Sequence, residues 1–538
     1  MTGLIFYAQD VEGDATTSSS RFLDIPPELC AIIARFASRQ SLARLCSVSH
    51  RLFSIFSALL YANIVDPLLS NYQSSRLIRT LSTAQTLTTP HPAILIRHLS
   101  LTGYVSDKAQ VQACTEALRN MYRLVPGAET LRGSALRSLR WNLPAGLDDL
   151  GCILGARGHF PNLSELFVTS DGTNKNFNFV QVGGLQILGL DLSIPTHDDG
   201  EVGDRMCYKL AEAIQMLPIT SPLLHTLHLK LDIPFNFDTF PYLGCDDLLS
   251  AMNNIRLYVL EDLEISLKFY PDYEYDMEDD ELPLMDFSLF LTAHPTLAHL
   301  ALSTHGPQIS ETVPFLPHLH SFKGSFEDAA VICARQRELD QLTLTFVHRS
   351  RFEMPSFRIE RLPSQFTLMK LQVLAVDLNG AVIKRTNELS PASLTQLVSS
   401  FPNLTQLDIC ISGRMKQYRK SFIRLMKLQS LRVQEYRERP GLRMWPAKKV
   451  FPPADYIKEF GRFLPSLPQL ECIEICILAD DPDNEDSENW CSCGSCTPPG
   501  YSDLECDTPE MTVDYRFSVI RTSSSRAATV VLSSSHVS

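Results

Sequence analysis

The side chains best suited to chemistry are four thiols near the C-terminal end: Cys491, Cys493, Cys496 and Cys506. Four thiolates are enough for tetrahedral zinc. Their spacing, C-x-C-x2-C-x9-C, lacks the paired C-x-x-C knuckles of zinc modules, so the expected reading is a mobile loop of reduced thiols with no metal. Asp171-Gly172-Thr173 matches part of a phosphotransferase aspartate motif, but Thr169 stands where a second aspartate is required, and a turn accounts for it. The phosphate-cradling Gly-x-x-x-x-Gly-Lys-Ser/Thr, the dinucleotide Gly-x-Gly-x-x-Gly after a strand, the Gly-x-Ser-x-Gly elbow and the metalloprotease His-Glu-x-x-His are all missing. No catalytic residue and no cofactor are therefore assigned, and a non-enzyme is expected. His98, His225, His228, His299 and His320 are spread over separate segments and read as residues lining a sheet.

Charge offers a second kind of chemistry. Arg414 to Lys449 carries 12 Lys or Arg against Glu435 and Glu438, in a chain whose net charge is −13. Arginine forks bind carboxylate or phosphate bidentately, so Arg419, Arg424 and Arg432 are candidates for holding an acidic or phosphorylated target. The simpler reading is a solvated face, as for the acidic stretch Asp272 to Glu281. Two glycosylation sequons, at Asn162 and Asn403, sit at turns into expected buried strands and are discounted.

The elements that position these residues follow from a recurring pattern: an aliphatic residue, two variable ones, a second aliphatic, one variable, a third. Copies start at Ile96, Leu136, Leu163, Leu185, Leu224, Leu260, Leu297, Leu339, Leu371, Leu404, Leu428 and Leu470, with a degraded one at Leu319. The last two apolar positions alternate as in a strand buried on one face, while the first packs in the preceding turn. The mean step is about 31 residues, within the range of stacked supersecondary units. Several copies follow a proline turn, as at Phe160-Pro161-Asn162, His294-Pro295-Thr296 and Phe401-Pro402-Asn403. Helix-like stretches, such as Arg205 to Leu217 and Pro391 to Ser400, lead into them.

The segment from Phe22 to Asp66 is different. Asp24-Ile25-Pro26-Pro27-Glu28 reads as a helix start, since proline suits the first turn and Glu28 the positive helix end. Leu29, Ile32, Ile33 and Phe36 form one stripe at helical spacing, and two more short amphipathic helices follow, one with Leu42, Leu45 and Cys46, one with Leu52, Ile55, Phe56, Leu59 and Leu60. Some 45 residues cannot bury so much apolar surface among themselves, so a partner or adjoining domain is expected.

This segment resembles the F-box. Ile25-Pro26-Pro27-Glu28-Leu29 is similar to the family's Leu-Pro-x-Glu-Leu opening, with Ile in place of Leu. The spaced apolar positions are matched by Ile33, Phe36, Leu42, Leu45 and Val48, and the Cys/Ser-Arg-x-Phe step by Ser49-His50-Arg51-Leu52-Phe53. Phe36 and His50 depart from the pattern. The later pattern resembles the leucine-rich-repeat-like domains that follow the F-box in fungal proteins, though it is irregular in length and lacks the consistent asparagine that closes regular leucine-rich repeats. The fold class so implied is α/β: a three-helix F-box, then a leucine-rich-repeat-like α/β solenoid with a parallel sheet. The implied role is substrate recognition in an SCF-type cullin–RING ubiquitin ligase, with a Skp-type adaptor bound through Ile25, Pro26, Glu28, Leu29, Ile33, Leu42, Leu45 and Val48. The alternative is a repeat scaffold with no ligase connection.

The expected layout is a disordered lead at 1–21, the F-box at 22–66, a helical linker at 67–92, repeats over 93–520 with an acidic and Cys-rich loop at 480–512, and a disordered tail at 521–538. The first residues lack a basic, apolar secretory signal, and no run is long enough to span a membrane. Excess acid argues against general nucleic-acid binding. Ten of the 14 cysteines lie scattered from Cys30 to Cys476, which fits the reducing cytoplasm or nucleus.

Overall fold

Each copy of the apolar pattern starts a strand two residues after its first aliphatic position. In the computed structural model these first positions, from Ile96 to Leu470, are almost wholly buried. The structure describes residues 26–66, 78–83, 92–102, 108–122, 134–143, 147–155, 160–170, 177–193, 200–235, 243–271, 286–304, 309–310, 315–336, 338–345, 370–377, 390–412, 415–438, 452–480, 511–521 and 528–537. They fall into two units, one of Met1–Asp149 with Ala156–Leu163, the other of Leu150–Gly155 with Ser164–Ser538.

The first unit opens with three helices, α1 (Pro27–Phe36), α2 (Arg39–Cys46) and α3 (His50–Ala62). Helix α3 passes without a loop into β1 (Asn63–Asp66), which pairs in parallel with β2 (His98–Thr102), itself parallel to β3 (Ser138–Asn142). Strand β1 was not foreseen, because no turn residue separates it from the helix. Its Ile64 is buried. Within the expected helical linker, the described residues 78–83 include buried Ile78 and Leu81, and Asn120 of α4 (Lys108–Tyr122) donates to the carbonyls of Leu81 and Thr83. Those bonds pin the segment to the unit.

In the second unit eleven strands lie in sequence order, all parallel. They are β4 (Glu165–Ser170), β5 (Ile187–Ser193), β6 (Thr226–Phe235), β7 (Asp262–Pro271), β8 (His299–Thr304), β9 (Ser321–Gly324), β10 (Gln341–Thr345), β11 (Val373–Asp377), β12 (Gln406–Ser412), β13 (Ser430–Glu438) and β14 (Cys472–Asp480). Helices including α5 (Gly200–Gln215), α6 (Leu243–Asn254), α7 (Ser288–Ala293), α8 (Phe326–Arg335), α9 (Pro391–Ser399) and α10 (Pro453–Gly461) fill the crossovers. The α/β class and the parallel order are as expected from the repeats.

One local geometry recurs. The N–H of the first leucine donates to the carbonyl three residues earlier, as Leu163 to Phe160, Leu297 to His294, Leu404 to Phe401 and Leu470 to Leu467. Both ends of each turn are buried, and the proline-polar pair lies between them at the positions a β-turn gives to proline. One carbonyl then takes two amides from the next strand: Gln186 accepts from His225 and Thr226, His225 from Glu261 and Asp262, and Gln372 from Thr405 and Gln406. Gly184, at φ +83°, makes the tight turn before β5 that an L side chain would strain.

The end of the chain departs from expectation. The foreseen closing strand is β15 (Met511–Arg521), antiparallel to β14, with Tyr515 and Phe517 buried against Tyr456 and Phe460 of α10. The supposed disordered tail instead holds β16 (Ala528–Val537), antiparallel to β15. The serine content of the tail hid the β-branched run Thr529–Val530–Val531.

Candidate functional site

The three N-terminal helices are built from small signals. Pro27 occupies the first helical turn of α1 and Glu28 lies at its positive end. Ser38 caps α2 by accepting from the Ser41 N–H, and Ser49 caps α3 by accepting from Leu52. Their shared core is Cys30, Ala34, Leu42, Leu52 and Phe56, with Leu45, Cys46, Ile55 and Leu60 partly buried against it. Burial raises the Cys46 thiol pKa.

Helix α1 therefore turns its small residues inward and its large ones outward. Leu29 is 51% exposed, Ile32 50%, Ile33 38% and Phe36 86%, and Val48 between α2 and α3 is 67% exposed. Phe53 and Leu59 of α3 are also exposed. Seven large apolar side chains of this small module are thus open to solvent. Of the proposed adaptor contacts, Pro26, Glu28, Leu29, Ile33 and Val48 face solvent. Leu42 does not: it is 6% exposed inside the module core, because a helix two turns long must spend its central leucine on holding the hairpin together. Leu45 is shared between core and surface, and Ile25 lies outside the described residues.

The outward face of the second unit's sheet is polar. Its most regular row comes, on β12 to β14, from the variable residue between the second and third aliphatic positions of each copy, and is continued by Arg516 of β15. Asp408, Arg432, Glu474 and Arg516 stand in register across β12 to β15 and form a ladder of ion pairs, at 3.4 Å, 4.0 Å and 3.3 Å. On β6, His228 contacts Asp262 at 3.4 Å and Glu264 at 3.8 Å, and the bond to Asp262 raises its pKa. Lys230 pairs with Asp191 at 2.9 Å. Phe167 on β4 lies over Gly189 of β5, where an added Cβ would come within 2.4 Å of the ring. Phe167, Gly189, His228, Asp408, Arg432 and Glu474 were readable as one motif position taken across successive copies, whereas Arg516 and the Lys230–Asp191 pair lie outside it.

The three candidate arginines are not gathered. Arg432 belongs to the ion ladder, whereas Arg419 donates to the Arg462 carbonyl at 3.1 Å and Arg424 to Ser399 Oγ at 2.8 Å, on the helical connections. Two of the three thus lie on a helical connection and one on a strand. Glu435, in the same basic run, is fully buried on the inward side, accepting from the Met415 N–H and the Tyr456 hydroxyl. Cys491, Cys493, Cys496, Cys506, Asp171 and the acidic stretch 272–281 lie outside the described residues.

Among the described residues no cluster of His, Cys, Asp or Glu has the form of a metal site, and no helix is long and apolar enough to cross a membrane. A small void between α6 and the sheet is lined by Leu229, Leu248, Met252, Ile265, Leu267 and Phe287, none of which can donate or accept a proton. Comparison of the chain with protein-family models gave no match, and comparison with curated proteins gave none at the significance required.

Proposed function

We propose that the protein is a substrate receptor of an SCF-type ubiquitin ligase, holding a Skp-type adaptor through α1–α3 and a target protein through its strand array. The observation that carries this reading is the exposed stripe Leu29, Ile32, Ile33 and Phe36 on a module that already has its own small core. A helix that faces its largest residues to water is built for a partner. The direct run of α3 into β1, with the Arg97 N–H bonded to the Ala62 carbonyl, supports the reading by joining the helices to the first parallel strands. Catalysis in this scheme is proximity: the receptor presents a target lysine to a ubiquitin-carrying enzyme and makes no bond itself.

Co-purification of the full chain with a Skp-type adaptor tests the reading. Wild type is expected to capture the adaptor, and a Leu29→Asp/Phe36→Ser variant is expected to lose it while melting at the wild-type temperature. Failure of folded wild type to capture the adaptor would overturn the ligase connection and favour a repeat scaffold that uses the same stripe for another protein.

A further inference from the structure

The crossover between β12 and β13 carries a row of cations with no carboxylate partner among the described residues. Residues 415–427 hold Lys416, Arg419, Lys420, Arg424 and Lys427 and no Asp or Glu. The same segment buries Met415, Tyr418, Phe422 and Leu425 at helical spacing, which leaves all five cations exposed. It is held firmly: the buried Glu435 carboxylate accepts from the Met415 N–H, and Ser421 Oγ donates to the Pro391 carbonyl. Among the described residues no carboxylate lies within ion-pair distance of any of the five, whereas Lys230, Arg432 and Arg516 on the sheet each have one.

The cations spread along a row and do not converge on one centre. Arg424 donates to Ser399 Oγ at 2.8 Å and Lys427 to Asn403 Oδ1 at 2.6 Å, both on the preceding crossover, while Arg419 reaches the Arg462 carbonyl of the following one at 3.1 Å. All three acceptors are neutral, so the hydrogen bonds fix the side chains and leave the charge uncompensated. The flanking crossovers add no net charge: residues 390–405 hold no charged side chain, and residues 452–469 balance Asp455 and Glu459 with Lys458 and Arg462. Between the cations, Ile423 is 37% exposed and Met426 63%.

We propose that this row is a docking site for a short acidic segment of a partner protein, its carboxylates paired with the cations and its apolar side chains seated on Ile423 and Met426. Under the proposed function that partner is the ubiquitination target, and the identity of the partner rests on that reading. Charge complementarity selects the occupant: five uncompensated cations stand together in a chain of net charge −13. Their spread selects a series of carboxylates over a phosphate group, since one compact dianion needs its donors brought to a single point. The rest of the chain limits the length of the occupant. A bilayer or a nucleic-acid duplex would also meet the excess of acid elsewhere, whereas a short segment feels only what lies within about 8 Å at about 0.15 M salt. The two aromatic rings of the segment, Tyr418 and Phe422, are buried, so neither is free to stack a base.

Fluorescence anisotropy of the full chain with a labelled acidic peptide, glutamates interrupted by leucines, tests this. Saturable binding in the range of about 1 to 100 µM is expected, weakening as salt rises from about 0.05 to 0.5 M. Arg424→Glu/Lys427→Glu is expected to lower the affinity at least about tenfold, because it sets like charges against the peptide. Arg205→Glu/Lys209→Glu, the same charge change on α5, is expected to bind as wild type does. Unchanged melting temperatures separate lost binding from lost folding. A wild type that does not bind the peptide would overturn the proposal, as would equal binding by the Arg424/Lys427 variant, an equal loss in the α5 variant, or equal affinity for the glutamine counterpart of the peptide. A wild type that ignores the acidic peptide but floats with phosphatidylserine vesicles, or that holds a peptide with a single phosphoserine more tightly, would overturn it too. The assay contains no adaptor, so a failure here leaves the adaptor test standing, and a failure there leaves this site standing.

Discussion

The N-terminal helices and the strand array treat their large apolar residues in opposite ways. The array buries its leucines at every repeat start and leaves polar residues on the outward sheet face, whereas the helical module buries Cys30 and Ala34 and exposes Ile32 and Phe36. The first arrangement is what a sequence does to stabilise itself. The second leaves large apolar side chains in water, and under the proposed function the difference separates residues kept for folding from residues kept for association.

Mutation sharpens that contrast. Leu260→Ala removes a fully buried repeat-start side chain and is expected to cost about 2–5 kcal/mol in urea unfolding, the range for large core truncations. A pH series probes an intermediate effect at His294. This ring is buried and neutral, with Nδ1–H donating to the Phe290 carbonyl at 2.6 Å and Nε2 accepting from the Leu257 N–H at 2.9 Å. Burial, the largest cause, lowers its pKa from the ordinary 6.5. The unfolded chain therefore takes the proton first, so the contribution of His294 to stability is complete above pH 6.5 and is lost as pH falls through the depressed folded value. Urea unfolding at neutral and mildly acid pH should show this loss, and His294→Gln should flatten it. His228 has the opposite sign, since its raised pKa gives stability below 6.5 that fades as pH rises through the folded value. The smallest effect belongs to the exposed helix: Phe36→Ser should change unfolding stability by no more than about 0.5 kcal/mol. A loss as large as that of Leu260→Ala would show that Phe36 serves the fold and would break the contrast.

Much of the array was legible because its signal is repeated. Thirteen copies of one apolar spacing locate thirteen strands, and even the degraded copy at Leu319 leads into β9. The helix starts of the N-terminal module were legible from Pro27, Ser38 and Ser49. What was not legible depends on three-dimensional placement. Periodicity groups Leu29 with Ile33 but does not say which stripe of a short helix faces inward, and the small residues Cys30 and Ala34 won that place because they let the helices approach closely. The arginines of the basic run share a sequence segment, yet the turn before β13 sends Arg424 and Arg432 to different sides of a repeat. Strands β1 and β16 have no copy of the motif, so nothing in the repeat announced them.

The carbonyl shared by two amides at most of the strand starts has a consequence for how such a chain changes over generations. Successive leucines are as close as 20 residues, from Leu319 to Leu339, and as far apart as 42, from Leu428 to Leu470, yet both intervals deliver the next strand to its neighbour through the same pair of amide bonds. Registration is thus decided within a few residues of the turn, while the crossover only has to return to it. Lengthening a loop costs little, since closure entropy grows with the logarithm of its length. Segments gained or lost in the crossovers can therefore accumulate without shifting the strands, and the spacing of the repeats drifts while the sheet keeps its pitch.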